Sequence, residues 1–265
     1  MALEGKTVPN PEAEEKGEKG ADSVRAVNRA LDILLAFTRQ DAQLSATELL
    51  QRVSLSRPTL YRLLYTLETK GFITSSGDPQ RFRLGPAVAR LTHIWTETLD
   101  ITAIAEPVMR LLWQETQETV AVFVERSDMR LCLAEMPSPQ PLNFKRGVGY
   151  QERIAVGATG RAILAFKTDA QSNLDQYLNG LTIDRAKFLE ELEHTRQVGY
   201  AVSRNELITG AVAVAAPFFD SKGVAGSIGV FGPATRLDDE AVKKLAPQVI
   251  ASAQTLSRAL GVEPA

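Results

Sequence analysis

The sequence predicts an α+β protein in two parts: a small winged helix-turn-helix, then a larger domain built on an antiparallel sheet. Three observations predict it. Basic and acidic residues are segregated along the chain. Three short apolar stripes at helical spacing are followed by a hairpin with arginines on one side, all between residues 24 and 90. Beyond residue 100 come strands, then helices, then strands, then a closing helix, an order typical of α+β layers.

The 265 residues are 44% hydrophobic and 23% charged, the balance of an ordinary soluble domain protein. The longest apolar run, Ala211–Phe219, is nine residues and too short to cross a bilayer as a helix, so no membrane partner is expected. The N-terminus is polar and the only cysteine is Cys132, which fits a cytoplasmic protein without disulfides. His93, His194 and Cys132 supply too few of the usual ligands for a zinc site. No cofactor is expected.

The formal net charge of −2 conceals the segregation. Residues 1–23 carry Lys6, Lys16 and Lys19 against Glu4, Glu12, Glu14, Glu15, Glu18 and Asp22, a balance of −3. They have almost no large apolar side chains, so 1–22 reads as a disordered tail. Residues 24–90 hold ten basic and five acidic residues, a balance of +5, which leaves −4 for the rest. A basic module beside an acidic one suggests a nucleic-acid partner.

The module spans residues 23–85. Ser23 stands where an N-cap would, and Val27, Ala30, Leu31, Leu34 and Phe37 recur at helical spacing. Ser45 and Glu48 form a capping-box pattern before Ala46, Leu49, Leu50 and Val53. Ser56 is a candidate cap for a third helix, with Pro58 in its first turn and Gly71 at its end. Leu60, Leu63, Leu64 and Leu67 form its inner face. Its outer face carries Arg62, Tyr65 and Thr69, flanked by Tyr61, Thr59 and Thr66, with Arg57 at the start. Guanidinium groups, hydroxyls and rings with no early carboxylate suit a helix in a major groove. Phe72–Thr74, a Gly-Asp-Pro turn and 80–84 form the wing, with Phe82 and Leu84 on one face and Arg81 and Arg83 on the other, towards phosphates. The candidate DNA contacts are therefore Ser56, Arg57, Thr59, Tyr61, Arg62, Tyr65, Arg81 and Arg83, with Arg25 from the first helix.

The chain here resembles the isocitrate-lyase-regulator (IclR) family of transcription factors. The stretches that carry the resemblance are 23–37, Leu44–Leu49, Thr59–Leu64, Leu67-Glu68, Gly71-Phe72 and Phe82–Gly85. In the larger domain they are Glu118–Val120, Gly157–Ala162, Gly199–Val202, Ala215–Pro217 and Gly232-Pro233. The resemblance covers about residues 23–258. It implies a one-component regulator with a DNA-binding domain and a C-terminal effector domain of GAF/PAS-like fold. It also implies a homodimer or dimer of dimers.

Pro86 opens a linker helix at 86–99 with Val88, Leu91, Trp95 and Leu99 along one side, a stripe that packs on a partner copy or on its own domain. The domain at 100–262 starts with a helix to Gln117 whose apolar face is Ile104, Val108, Leu111 and Leu112. Strands are expected at 119–125, 130–136 and 142–146, helices near 159–167, 169–178 and 185–198, a hairpin over 212–231 and a helix at 238–259.

The resemblance implies an effector pocket at the Gly-Ala-Thr-Gly turn, here Ala158, Thr159 and Gly160. By the same correspondence, polar pocket positions of the family fall on Ser203, Ala211, Ala213, Gly229 and Phe231. A pocket that exchanges acidic, thiol and hydroxyl groups for these residues favours an aromatic or otherwise apolar acid. Phe123 and Phe144 either line it or are plain core, and Arg146 is the candidate partner for a carboxylate. The Gly157–Arg161 stretch lacks the spacing and lysine of a P-loop, and no G-x-S-x-G elbow occurs. The competing expectation is a small-molecule-binding enzyme or carrier with an accessory DNA-binding domain. It needs clustered titratable groups in the pocket, and the positions carried over from the family contain none.

Overall fold

A computed structural model describes residues 24–38, 40–97 and 100–263, apart from the side chains at 93 and 95–97. The expected tail, the Ser23 cap, and the side chains of His93, Trp95 and Leu99 lie outside the described residues. The chain divides into two compact units, 1–99 and 100–265.

The first unit contains α1 (24–35), β1 (Leu44–Ser45), α2 (Ala46–Arg52), α3 (Arg57–Thr69), β2 (Ile73–Ser76), β3 (Arg81–Leu84) and α4 (Pro86–Glu97). Its antiparallel sheet runs β1-β3-β2. The capping box forms in full: Ser45 Oγ accepts the Glu48 N–H at 3.2 Å and Glu48 Oε2 accepts the Ser45 N–H at 2.7 Å. Leu60, Leu63, Leu64 and Leu67 of α3 are buried as their spacing requires, against Ile33, Leu44, Leu49, Ile73 and Phe82. The α3 end is a Schellman motif. Gly71 (φ +74°) donates to Glu68 O and Phe72 to Leu67 O, both at 2.9 Å. Gly85 then approaches so closely that a Cβ there would lie 2.3 Å from Gly71 O. Gly85 donates to Phe72 O at 2.8 Å and Ala87 to Gly71 O at 2.9 Å, which seats the start of α4 on the end of α3.

Three expectations in this unit are corrected. Ser56 makes no capping bond; its hydroxyl pairs with Thr59 Oγ1 at 2.9 Å. Leu84 is exposed, because only Phe82 of β3 reaches the core. On α1 the buried side is Ile33 with Ala30, Leu34 and Phe37, whereas Val24, Val27, Leu31 and Leu35 form a second, outward stripe. The apolar arc of α1 is wider than this unit covers.

The second unit contains α5 (Ile101–Thr116), β4 (Thr119–Arg126), β5 (Met129–Met136), β6 (Gln151–Arg153), α6 (Ala158–Phe166), α7 (Leu174–Leu178), α8 (Arg185–Val198), β7 (Ala201–Arg204), β8 (Ala211–Asp220), β9 (Gly223–Pro233) and α9 (Asp239–Ala259). The six-stranded sheet is antiparallel, in the order β6-β5-β4-β9-β8-β7. Helices α5 and α9 pack on one face and α6 on the other, with α8 against α6. Alternation along β8 divides the core between them. Ala213 and Ala215 meet Ala158 and Ala162 of α6. The buried Val212 and Val214 occupy the opposite phase. Small residues on the α6 side bring that helix close to the sheet.

The expected strand at 142–146 is irregular chain. Its backbone is drawn to side chains instead: Glu135 accepts the Arg146 N–H at 2.8 Å and the Gly147 N–H at 3.0 Å. The β5 edge is paired by β6. The expected helix at 169–178 is reduced to α7, and in α5 the buried residues are Ala105, Met109 and Leu112, with Leu111 exposed. Strands β1, β6 and β7 are additions to the sequence reading.

Candidate nucleic-acid interface and ligand pocket

On α3 the inner leucines fix the rotation of the helix, so the opposite face is open. Arg57, Arg62, Tyr61 and Tyr65 are exposed, and Thr59 is half-buried. Neither Arg57 nor Arg62 forms an ion pair among the described residues. The Thr66 and Thr69 hydroxyls are spent on their own helix, donating to Arg62 O and Tyr65 O. Because Ser56 does not cap, the first N–H groups of α3 have no side-chain acceptor there, an arrangement suited to a phosphate. Arg25 is exposed on α1.

The wing arginines differ. Arg83 donates only its Nε, to Thr74 Oγ1 at 3.1 Å. Arg81 is held inside the unit by Gln43 O at 2.8 Å and by Glu48 Oε2 at 3.1 Å. The Ser45 N–H and hydroxyl, followed by Arg81, hold the Glu48 carboxyl below its usual value. Arg81 thus ties the wing to the capping box.

In the second unit a cavity opens between the sheet and α6. Of the expected residues, Phe123, Phe144, Arg146, Ala158, Thr159, Ser203, Ala211, Ala213 and Phe231 line it. Gly160 and Gly229 are outside the lining and serve as spacers. A Cβ on Gly160 would lie 1.8 Å from Ile154 O, and one on Gly229 would lie 3.0 Å from the Thr159 methyl. The Phe123 and Phe231 rings meet at 6.1 Å.

The sequence reading missed Arg130, Glu135, Tyr150, Glu206, Leu207 and Ile208 in the lining. One signal was available: Arg130 shares the buried phase of β5 with Cys132. The titratable groups that the sequence reading lacked are therefore present, but Glu135, Glu206 and Tyr150 are engaged structurally. Glu206 accepts from Gly157 N–H and Arg161, each at 2.8 Å. Glu135 holds the Arg146 and Gly147 N–H groups. Tyr150 donates to Glu152 at 2.7 Å. Among the described residues no histidine lines the cavity. Burial, reinforced by Glu135, pushes the Cys132 thiol up to about 12, which rules out a ready nucleophile. Among the described residues no cluster of three or more metal-binding side chains occurs, and no helix is long and apolar enough to cross a membrane.

Comparison with known proteins covers both units. Residues 93–258 match the family described as bacterial transcriptional regulator IclR C-terminal, and 26–77 match the IclR helix-turn-helix domain. The chain belongs to the IclR family. Its IclR relatives include the HTH-type transcriptional regulator BhcR of Paracoccus denitrificans, 28% identical over 91% of this chain and 89% of that one. The Escherichia coli regulator KdgR is 25% identical over 92% and 95%. IclR-type structures share the fold. One from Silicibacter sp. has a TM-score of 0.82 at 23% identity, over 90% of this chain and 97% of its own. Pseudomonas aeruginosa HmgR has 0.79 at 23%, over 91% and 100%. This IclR protein is a DNA-binding transcriptional regulator with an effector-binding domain, and not an enzyme.

Proposed function

We propose that this regulator acts in the cytoplasm as a homodimer, or a dimer of dimers, controlling genes for the breakdown of an aromatic or otherwise apolar organic acid that it binds itself. The cavity carries the reading: Phe123, Phe144 and Phe231 with Ala211 and Ala213 supply apolar lining, beside polar groups such as Thr159 and Ser203. Such a site takes a hydrophobic body with few anchors.

The functional parts are a tail at 1–22, a DNA-binding domain at 23–85, a linking helix at 86–99 and an effector domain at 100–262. Arg57, Thr59, Tyr61, Arg62 and Tyr65 read the major groove, while Arg25, Ser56 and Arg83 meet phosphates, with Arg81 bracing the wing. The outward stripe Val24, Val27, Leu31 and Leu35, with exposed Leu91 and Ile94 on α4, supports pairing with a second copy, since apolar surface of this extent favours burial. Effector binding shifts a balance between two dimer geometries by its differential affinity for them.

The test is a footprint of the promoter regions flanking the gene with and without benzoate-type acids, alongside glyoxylate and pyruvate. A protected pseudo-palindrome that changes only with aromatic acids is expected. Protection that responds to keto acids alone overturns the effector class.

A further inference from the structure

One corner of the cavity holds a buried charge with no counter-ion in direct contact. Arg130 on β5 is 2% exposed. Its Nη1 donates to Arg153 O at 3.2 Å and to Val156 O, while its Nε has no partner. Thr159 Oγ1, buried in the same lining, has none either. Glu152 faces Arg130 across the strand pair and favours its charge without touching it, and the nearby carboxylates spend their hydrogen bonds on other groups. Glu152 takes the Tyr150 hydroxyl and the Arg153 N–H, Glu206 takes Arg161 and Gly157, and Glu135 takes Arg146 and Gly147. Among the described residues Arg130 has no ion pair.

The guanidinium also lies against the start of the nine-residue α6. A Cβ on Gly157 would sit 3.2 Å from Nη2, and one on Gly160 would sit 3.1 Å from Nη1. The positive end of a helix and a buried cation thus share a corner, which is costly without an anion. Burial pushes the guanidinium down to about 10, still charged at neutral pH. Phe123 lies 5.5 Å beneath it, an attraction too weak to replace a counter-ion. Arg146, the expected carboxylate partner, is instead stacked over Tyr150 at 4.8 Å.

We propose that Arg130 and Thr159 form the carboxylate anchor of the effector site, and that the ligand is a monocarboxylate whose apolar body lies along Phe123, Phe144 and Phe231. This rests on reading the cavity as the effector site. In the remaining lining two carboxylates, Glu135 and Glu206, stand against one cation, Arg146, so dicarboxylates are disfavoured.

The test is calorimetric titration of the full chain with acid–amide pairs: benzoate and benzamide, phenylacetate and phenylacetamide, pyruvate and pyruvamide, with phthalate as the dicarboxylate. The acid is expected to bind at least about tenfold tighter than its neutral amide, as charge-assisted hydrogen bonding requires. Arg130→Gln should bring that ratio near unity, while Arg146→Gln leaves it within about twofold. Thr159→Val should weaken the acid about three- to tenfold without lowering the thermal midpoint of the free protein, since the deleted hydroxyl had no partner. If Arg130→Gln does not fold, Arg130→Lys, which loses the planar fork, and Thr159→Val carry the test. Acid preference that survives Arg130→Gln, or is lost in Arg146→Gln, overturns the anchor. So does phthalate binding as well as benzoate, or no acid binding at all. Aromatic acid and amide bound equally overturn the anchor and leave the apolar cavity standing. Binding of the pyruvate pair alone, with an Arg130-dependent preference, supports the anchor and removes the aromatic reading.

Discussion

Replacing Arg83 and Arg81 separately by alanine distinguishes a phosphate-binding side chain from an internal brace on the same strand. Arg83 has only Thr74 Oγ1 as partner, at 3.1 Å, so its terminal nitrogens are available to DNA. Arg81 is already held by Gln43 O at 2.8 Å and Glu48 at 3.1 Å. Removing one arginine–phosphate pairing flattens the slope of log K against log salt by about 0.9, hence by about 1.8 for an operator bound by two copies. Between about 50 and about 200 mM salt the affinity deficit of Arg83→Ala should therefore shrink by about twelvefold. The assay is fluorescence anisotropy with an operator duplex across that range. Arg81→Ala should lower the thermal midpoint of the protein and leave the slope unchanged. A slope change of equal size for Arg81→Ala, or none for Arg83→Ala, refutes the division of roles.

Other expectations follow from the same geometry. Gly160→Ala puts a methyl 1.8 Å from Ile154 O; after the helix-propensity gain, a loss of about 2–3 kcal/mol is expected in urea unfolding, and a loss below about 0.5 kcal/mol contradicts the packing. The Glu48 carboxyl is held below its ordinary 4.5, first by the Ser45 N–H. Its contribution is therefore present above that value and lost as pH falls through the folded-state value. The stability gap between wild type and Glu48→Gln should be constant near neutral pH and close as acidification protonates the folded-state carboxyl, and a gap that widens on acidification reverses the sign. The Cys132 thiol, pushed up to about 12 by burial and then Glu135, should resist a thiol reagent at pH ~8 in the folded protein and react on denaturation. Rapid native labelling would show that the strand opens.

Sequence periodicity carried most of the architecture. The leucines of α3, the capping box at Ser45 and Glu48, the hairpin of β8 and β9, and Val242, Leu245, Val249 and Leu256 of α9 all stand where their spacing placed them. What it could not carry depends on partners remote in the chain. Strand β1 is two residues long and exists only because Leu44 pairs with Phe82. Val27 and Leu31 are apolar at helical spacing, yet spacing marks a face without saying what covers it. The segment 142–146 alternates like a strand, but Glu135 captures its N–H groups. Nine candidate pocket residues line the cavity because β4, the 142–146 segment, α6, β7, β8 and β9 converge there. Arg130 stayed hidden because its surroundings arise only when the 154–160 turn folds across it.

The close approach of Gly71 and Gly85 has a mechanical consequence. With the end of α3 bonded directly to the start of α4 and no side chain between them, the two helices meet at a joint without slack. Helix α4 has twelve residues and is about 18 Å long, so pushing its far end sideways by about 3 Å corresponds to a tilt of about 10°. A joint of this kind passes that tilt to the helix bearing Arg57 and Arg62. It acts as a lever arm, converting small displacements at the far end of α4 into a change of bearing at the groove.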